Sequence, residues 1–455
     1  MAYRGASAAF PEHSVGAYRA AIEQGAQFVE CDVVLTRDLV PICRHESNIA
    51  DTTNVLLAAH RRGWDVVPSG NGTEVFAADL TLAQIKQLRA VYPGQAPSAT
   101  AGTAGTDGGD AKGHCDSDAA AGSCAAPWSG SSELATGNAA AGEAAVDRAE
   151  TCSWDGTTGG AATGDAAANT AACSDSVPTG ADEAAPPAFE VASLEELIWM
   201  AVASRGTAVG VALHIQAAAW HNAHPVLQPL LAAAGTTFEG TLLQLLTKYG
   251  FATGPYGSAA WRKRPTYIMA FEATSLQYLA QRTSAPLTQV LGPTIPDTGE
   301  SWDSATSAEG LSRIATYAQS VAVARQALLL PAAAEAAGAI GSGATSGGGG
   351  GSGGVLAASP VLARMRQAGL QVFASVFKPA AEHLLANVTS WEQEIAPLLL
   401  AGAPLESEDA AEAAALQKQR RVQRRALGID GLFADSPGLL REVYKKYACG
   451  EQAYS

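Results

Sequence analysis

Apolar residues near the start of the chain recur at the spacing of one helix face, namely at Val15, Tyr18 and Ile22. Ser14 precedes this run and can accept a hydrogen bond from the first turn, and Gly25 follows it and can end the helix. The next segment, residues 28–35, is rich in β-branched and aromatic residues that favour a strand. The pattern therefore predicts a helix followed directly by a strand.

Strand-like and helical patterns alternate along most of the remaining chain. Further apolar runs suited to strands lie near residues 209, 267, 287, 321, 371 and 431. Helical patterns occur between them at 195–204, 360–368 and 409–427. Such alternation predicts an α/β protein with a parallel sheet.

Two compositionally biased stretches interrupt this pattern. Residues 95–187 contain only three aliphatic residues larger than alanine, and residues 341–354 contain nine glycines. The first stretch cannot bury enough apolar surface to offset its chain entropy, so we expect it to be disordered. The second is typical of a flexible linker. Removing these 93 and 14 residues leaves 348, which suffices for one large domain or two ordinary ones.

The net charge of −15 arises mainly from residues 95–187, which carry 13 acidic and two basic residues. The remaining chain has a net charge of only −4, and its basic run at 418–425 lies near the end of a predicted helix, where a solvated face is favoured over a nucleic-acid site. Four of the seven cysteines lie in residues 95–187 at spacings that match no zinc or redox motif. No apolar run is long enough to cross a bilayer. We therefore expect a soluble protein that does not bind nucleic acid, while its compartment and oligomeric state stay open.

Two carboxylates, Glu30 and Asp32, occupy alternate positions of the first predicted strand and therefore point to the same side. Burying both costs several kcal/mol unless a cation joins them, and a divalent metal is the simplest such cation. A solvated strand end, or a salt bridge to an arginine, explains the same spacing equally well.

A hairpin is predicted to add a histidine to these carboxylates. Residues 36–39 favour a turn and residues 40–45 favour a second strand. Asp32 and His45 are symmetric about the middle of that turn, so the hairpin is predicted to place His45 beside Asp32. Arg4 is a further candidate for the same charged site. A packed or solvated histidine is an equally good interpretation of position 45.

The first 46 residues contain several short motifs that can be compared as a set. They are Tyr3-Arg4-Gly5-Ala6-Ser7, Pro11-Glu12-His13, Glu30-Cys31-Asp32-Val33, Thr36-Arg37-Asp38 and His45-Glu46. They resemble the motifs of the glycerophosphodiester phosphodiesterase family. The similarity resumes after residue 187 and extends to residues 428–435. It thus covers nearly all of the chain outside the two biased stretches.

The resemblance implies a TIM (β/α)8 barrel with its active site at the C-terminal ends of the strands. The barrel would consist of residues 1–94 and 188–447, with 95–187 and 341–354 as loops. Only three residues precede Arg4, fewer than a barrel strand usually has, so the N-terminus reads as incomplete. A targeting segment would have been lost with it.

The resemblance also implies the chemistry of the site. Glu30 and Asp32 would bind a divalent cation, calcium or magnesium, together with a third carboxylate. Arg4 would bind the phosphate and His45 would be one of two acid/base histidines. The reaction is hydrolysis of a small glycerophosphodiester to glycerol 3-phosphate and an alcohol. Glu12 is expected either to orient Arg4 or to be a helix-entry charge.

Three positions depart from the family pattern. Tyr3 stands where the family has its first histidine, and a phenol is a poor acid/base group at neutral pH. His214 and Gln216 stand where the family has Glu-x-Lys. His214 can still bind a metal, but imidazole favours manganese or zinc over calcium. The alternative to an enzyme is a catalytically impaired member that binds phosphodiesters or a partner protein.

Overall fold

The computed structural model of the chain describes residues 1–64, 74–96, 189–204, 208–331, 356–386, 388–401 and 428–448. The predicted disordered insert from residue 97 onward, the glycine-rich linker and the predicted helix at 409–427 lie outside the described residues. The boundaries of the domain therefore stay a prediction.

The elements of the described residues follow the predicted alternation. The strands are β1 (Phe28–Leu35), β2 (Pro41–Cys43), β3 (Gly210–Ile215), β4 (Thr266–Ala270), β5 (Leu287–Leu291), β6 (Thr294–Ile295), β7 (Glu300–Ser301), β8 (Ser320–Ala324), β9 (Leu329–Pro331), β10 (Leu356–Ala358), β11 (Gln371–Phe377) and β12 (Gly431–Ala434). The α-helices are α1 (Val15–Glu23), α2 (Val55–Arg62), α3 (Leu82–Ile85), α4 (Leu194–Ala203), α5 (Ala218–Ala223), α6 (Leu227–Ala233), α7 (Phe238–Lys248), α8 (Ala259–Lys263), α9 (Ala273–Ala280), α10 (Trp302–Ala305), α11 (Ala308–Ile314), α12 (Arg325–Leu328), α13 (Pro360–Gln367), α14 (Trp391–Leu400) and α15 (Pro437–Ala448). Short 3-10 helices cover Ala77–Asp79 and Ala381–His383.

The strand-like runs of the sequence are confirmed, since each lies on one of the parallel strands β1, β3, β4, β5, β8, β11 and β12. The first predicted helix is confirmed as α1. The side chain of Ser14 accepts a hydrogen bond from the backbone N–H of Ala17, and Gly25 follows the helix in the left-handed region.

The seven parallel strands close into a barrel through the N-terminal segment. Ala2 forms parallel bridges with Val29 of β1 and with Ala434 of β12, the first and last strands in the run of parallel strands. The N–H of Ala2 donates to the carbonyl oxygen of Phe28 over 2.8 Å, and the N–H of Tyr3 donates to that of Ala434 over 2.8 Å. The predicted (β/α)8 barrel is thus confirmed, and the segment around Ala2 occupies the position of the eighth strand.

Alternation along the strands determines which side chains point into the barrel. One cluster of buried residues fills the interior, and its members are Ala212, Tyr267, Met269, Ala322, Phe373 and Phe433. The residues between them pack against the surrounding helices in a larger cluster. Glu30 pairs with Ala212 and Asp32 pairs with His214, so these three polar side chains share the interior face.

The predicted hairpin between β1 and β2 is confirmed, but its predicted register is wrong by one residue. Val33 pairs with Cys43, and the N–H of Arg44 donates to the carbonyl oxygen of Asp32 over 2.8 Å. Arg44, not His45, therefore lies opposite Asp32. The loop holds three residues between Thr36 and Val40, with Leu39 at a φ of 60°, which moves its centre by half a residue. A shift of one residue exchanges the two faces of a strand.

A disulfide joins Cys31 of β1 to Cys43 of β2. Both cysteines are fully buried, and their spacing in the sequence did not indicate a pair. None of the described helices is long and apolar enough to span a membrane.

Gly5 gives a test of how tightly the N-terminal segment packs on α1. Its φ is 86°, and a Cβ atom there would lie 2.7 Å from the carbonyl carbon and the Cβ of Ala17. Gly63 has a φ of 60°, but apart from its chain neighbours no atom of the described residues lies within 4 Å of its Cβ position. We expect Gly63→Ala to lower the free energy of unfolding by about 1 to 2 kcal/mol through the backbone alone. Gly5→Ala should lower it by at least about 1 kcal/mol more through the clash.

Urea denaturation followed by circular dichroism measures both losses. Equal losses for the two variants would contradict the close packing of Gly5 on Ala17.

Candidate active site

The candidate site lies inside the barrel, near the C-terminal ends of the first strands. The segment after Ala2 supplies Tyr3 and Arg4, β1 supplies Glu30 and Asp32, and β3 supplies His214. Parallel strands align their C-terminal ends, which brings these residues together although they are up to 211 positions apart in the sequence.

The two carboxylates of β1 are both buried, at 1% exposure each. Burial, together with the charge of Asp32, raises the pKa of Glu30 well above its usual range. Burial acts in the same direction on Asp32, but hydrogen bonds from His13 and His214 hold the pKa of Asp32 well below its usual range. The first negative charge of the pair is therefore carried by Asp32 rather than by Glu30.

Four residues from three parts of the chain surround the carboxylate of Asp32. Its Oδ2 lies 3.0 Å from Nε2 of His13 and 3.4 Å from Nε of Arg4. Its Oδ1 lies 2.9 Å from Nδ1 of His214 and accepts a hydrogen bond of 2.8 Å from the amide of Gln216. This arrangement stabilises an ionised carboxylate in the barrel interior.

Arg4 is held in place by three further contacts. Its φ is 57°, and its backbone N–H donates to Oε2 of Glu30 over 2.7 Å. Its guanidinium donates to Oε2 of Glu12 over 2.5 Å and to the hydroxyl of Tyr3 over 2.6 Å. Glu12 thus forms an ion pair with Arg4, the first of the two possibilities that the sequence left open.

Tyr3 occupies the position of the histidine that the family motif has. Burial raises its pKa well above the usual value, so its hydroxyl stays protonated at neutral pH. The ring packs beside the interior cluster, and the hydroxyl oxygen accepts the hydrogen bond from Arg4. Tyr3 can therefore position groups, but it cannot act as a base.

His214 completes a set of three possible metal ligands. Glu30, Asp32 and His214 each offer one ligand atom, and these atoms lie within 4.8 Å of one another. His214 is 8% exposed, and its Nε2 is buried with no hydrogen-bond partner in the described part of the chain. Two buried carboxylates and an unpartnered imidazole nitrogen suit a divalent cation, so the residues fit the metal that the family motif implies.

His45 lies at the edge of this group, not within it. Its side chain is 36% exposed, and its Nδ1 lies 2.9 Å from Oε1 of Glu46. Burial lowers the pKa of His45, while Asp32 acts in the opposite direction, which places the imidazole within electrostatic reach of the site. The predicted position directly opposite Asp32 is wrong because of the register of the hairpin.

Two buried residues of the site were missed in the sequence. His13 has a φ of 58°, and its Nδ1 lies 2.7 Å from the hydroxyl of Tyr18 while its Nε2 contacts Asp32. Burial lowers the pKa of His13 to about 4, so it is a neutral hydrogen-bonding group. Arg44 is fully buried and donates to the carbonyl oxygens of Glu12 and Thr52 over 2.5 and 3.1 Å.

Comparisons with known proteins agree with this site. The sequence model of the glycerophosphoryl diester phosphodiesterase family matches residues 4–112, a segment that contains Arg4, Glu30, Asp32 and His45. Glycerophosphodiester phosphodiesterase GDPD6 of Arabidopsis thaliana is 25% identical over 292 residues, which cover 63% of this chain and 53% of the relative. Glycerophosphodiester phosphodiesterase of Bacillus subtilis is 34% identical over 90 residues, or 20% of this chain and 25% of the relative.

The chain therefore spans about half the length of the Arabidopsis relative and a quarter of the Bacillus relative. Among solved structures, an Oleispira antarctica phosphodiesterase in complex with the product sn-glycerol-3-phosphate aligns with a TM-score of 0.43 and 12% identity, covering 98% of this chain and 95% of that one. The chain is thus similar to the glycerophosphoryl diester phosphodiesterase family, whose sequence model matches the segment that supplies Arg4, Glu30 and Asp32.

Proposed function

We propose that the protein is a metal-dependent phosphoric diester hydrolase that converts glycerophosphodiesters to glycerol 3-phosphate and an alcohol. The observation that carries this proposal is the group formed by Glu30, Asp32, His214 and Arg4 at the C-terminal ends of adjacent barrel strands. Such a group combines a divalent cation site with a guanidinium, and a phosphodiester needs both to stabilise charge at phosphorus. The names of the relatives supply the substrate class.

Glu30, Asp32 and His214 would hold the cation. Calcium or magnesium is implied by the family, whereas the imidazole of His214 suits manganese or zinc. When bound, the cation would neutralise charge on the phosphate and lower the pKa of a bound water.

Arg4 would bind the phosphate through its guanidinium. A planar guanidinium matches two phosphate oxygens, and it stays charged in a buried site. The ion pair with Glu12 and the backbone contact with Glu30 keep Arg4 next to the proposed cation site. Glu12 would therefore act as a positioning residue for Arg4.

His45 would transfer protons during the reaction. Because its pKa is lowered, the imidazole is neutral at pH 7 and can take a proton from water as the oxygen attacks phosphorus. The bond from phosphorus to the alcohol oxygen would then break, and the leaving oxygen would take a proton from solvent, to which His45 later releases the proton that it took from water. Tyr3 would contribute a hydrogen bond in place of a second acid/base histidine.

A second candidate function is that of an impaired family member that binds phosphodiesters or a partner protein. The observation that favours it is Tyr3, whose buried phenol cannot replace a proton-transferring histidine. Both candidates keep the same binding site. They differ in whether turnover occurs.

We expect the purified chain to release glycerol 3-phosphate from glycerophosphocholine when a divalent cation is added, and to stop when the cation is chelated. His45→Ala should lower kcat by about 10²- to 10⁴-fold, the usual effect of losing an acid/base group. His60→Ala is the matched control, because His60 is an exposed histidine on α2 and should leave the rate unchanged. An enzyme-coupled assay for glycerol 3-phosphate measures each rate.

Absence of turnover with calcium, magnesium, manganese and zinc would contradict the enzyme proposal. Recovery of activity in Tyr3→His combined with His214→Glu would then establish the impaired member. Equal rates for wild type and His45→Ala would remove His45 from the mechanism.

The lowered pKa of His45 predicts the acid limb of the pH profile. If neutral His45 takes the proton, kcat should fall as the pH drops through its pKa, which lies below the ordinary value of about 6.5. The midpoint of the acid limb should therefore lie below about pH 6.5. A limb centred above pH 7, or one that persists unchanged in His45→Ala, would show that another group controls the profile.

A further inference from the structure

We infer that the end of the barrel opposite the candidate site binds a membrane surface that carries anionic lipids. The binding surface consists of residues 250–265, which lead into β4, together with Arg282 on the loop that leads into β5. We call this surface the basic end. The two loops are in contact, since the hydroxyl of Thr283 donates to the carbonyl oxygen of Ala252 over 2.9 Å. The inference does not rest on the proposed function, because the candidate site lies at the other ends of the parallel strands.

The loops at this end of the barrel carry mostly positive charge. The loops that precede six of the parallel strands are residues 24–27, 250–265, 281–286, 315–319, 368–370 and 428–430. Their basic residues are Arg262, Lys263, Arg264 and Arg282, and their one acidic residue is Asp430. Asp430 already forms an ion pair with Arg366, outside these loops. A surface of one sign attracts a partner of the opposite sign, although the whole chain has a net charge of −15.

The charges of Arg262 and Lys263 are not used within the fold. Both side chains are exposed, and neither forms an ion pair or a side-chain hydrogen bond with any residue that the structure describes. The guanidinium of Arg264 donates to the carbonyl oxygen of Lys263 over 3.2 Å and lies 5.8 Å from the ring centroid of Phe251. Cations without a fixed acceptor suit the diffuse negative charge of a bilayer, which requires no particular geometry.

An exposed aromatic ring lies among these charges. Tyr256 is 52% exposed. Its ring meets that of Trp261 edge-on, with centroids 4.6 Å apart, and lies 6.2 Å from the ring of Tyr267 inside the barrel. This packing holds the ring of Tyr256 at the surface. Tyrosine combines an apolar ring with a polar hydroxyl, and it is enriched where a membrane meets water.

Trp261 joins the basic end to the interior of the barrel. Its Nε1 donates to the carbonyl oxygen of Thr266 over 3.0 Å. Its ring lies 6.2 Å from that of Phe28 and 5.9 Å from that of Tyr267. Two of the basic residues follow it directly on α8. Because the surface is already packed on the barrel, binding costs little ordering of the chain.

The combination of charges and an aromatic ring favours a membrane over other negatively charged partners. Stable attachment to a bilayer surface usually needs two contributions, an electrostatic one and an apolar one. The basic residues supply the first contribution and Tyr256 supplies the second. Binding through this end leaves the candidate site facing water, since that site lies at the opposite end of the strands.

The test measures sedimentation of the full chain with vesicles of phosphatidylcholine, alone or mixed with phosphatidylserine. The wild type should sediment with the mixed vesicles only. Raising the salt concentration from about 0.1 M to about 1 M should release it, because the screening length falls from about 10 Å to about 3 Å.

A pair of charge variants locates the surface. Arg262→Ala combined with Lys263→Ala should lower the partition coefficient about 25-fold, since each charge near an anionic surface contributes about fivefold. Arg61→Ala combined with Arg62→Ala is the matched control. It removes the same charge from two neighbouring exposed arginines on α2, and binding should be nearly unchanged.

A second pair of variants tests the aromatic contribution. Tyr256→Ala should weaken binding to the mixed vesicles, and Tyr256→Trp should retain it, because tryptophan favours the same interface. Trp199→Ala is the control, since Trp199 is 56% exposed on α4, and it should leave binding unchanged. Circular dichroism of each variant checks that it folds, and the wild-type measurement alone tests the inference if one does not.

Equal sedimentation of the wild type with both kinds of vesicle, or with neither, overturns the inference. An equal loss of binding in the two charge variants also overturns it, because the effect would then be one of net charge. Binding to a single-stranded oligonucleotide as tight as binding to the mixed vesicles would identify a nucleic-acid surface instead. A loss confined to the Arg262 and Lys263 variant and to Tyr256→Ala supports the inference.

Discussion

Burial of the Asp32 carboxylate is the constraint on which the rest of the site depends. An ionised carboxylate inside a barrel costs several kcal/mol unless donors surround it. The donors that meet this need are His13, Arg4, His214 and Gln216, and they come from three separate parts of the chain. Because each must reach the same two oxygen atoms, the N-terminal segment, the loop before α1 and the end of β3 are fixed relative to β1.

Closure of the barrel also helps to place a donor beside the Asp32 carboxylate. The bridges of Ala2 to β1 and β12 hold the residues that follow it at the C-terminal face. Arg4 can then place its backbone N–H on Glu30 and its guanidinium between Asp32 and Glu12. A short stretch of backbone pairing thus joins the stability of the sheet to the charge balance of the site.

The fold was predictable from the sequence because it rests on local patterns. Runs of strand-forming residues and their alternation with helices depend on neighbours in the sequence, and the parallel strands lie where these runs are. The carboxylates of β1 were predictable for the same reason, since residues two apart on a strand share a face.

The remaining parts of the site depend on contacts that local patterns do not contain. His13 was missed because its partner Asp32 lies 19 positions away and its left-handed backbone leaves no periodic signal. The hairpin register was wrong because a three-residue loop, with Leu39 at positive φ, cannot be told from a two-residue turn by symmetry alone. Arg44 was missed as a consequence, since the same shift places it opposite Asp32.

The same electrostatic constraint connects the two departures from the family pattern at the end of β3. Where the family pattern has Glu-x-Lys, this chain has His214 and Gln216, so one negative and one positive charge are lost together. The formal charge of the site is unchanged by the exchange. A third carboxylate beside Glu30 and Asp32 would add repulsion in a buried pocket, and a lysine would be needed to offset it. His214 and Gln216 instead both contact Oδ1 of Asp32, so the exchange removes one carboxylate and one ammonium together while it changes the ligand chemistry. Tyr3 has no such compensation, because a phenol keeps the hydrogen bond to Arg4 but gives up proton transfer.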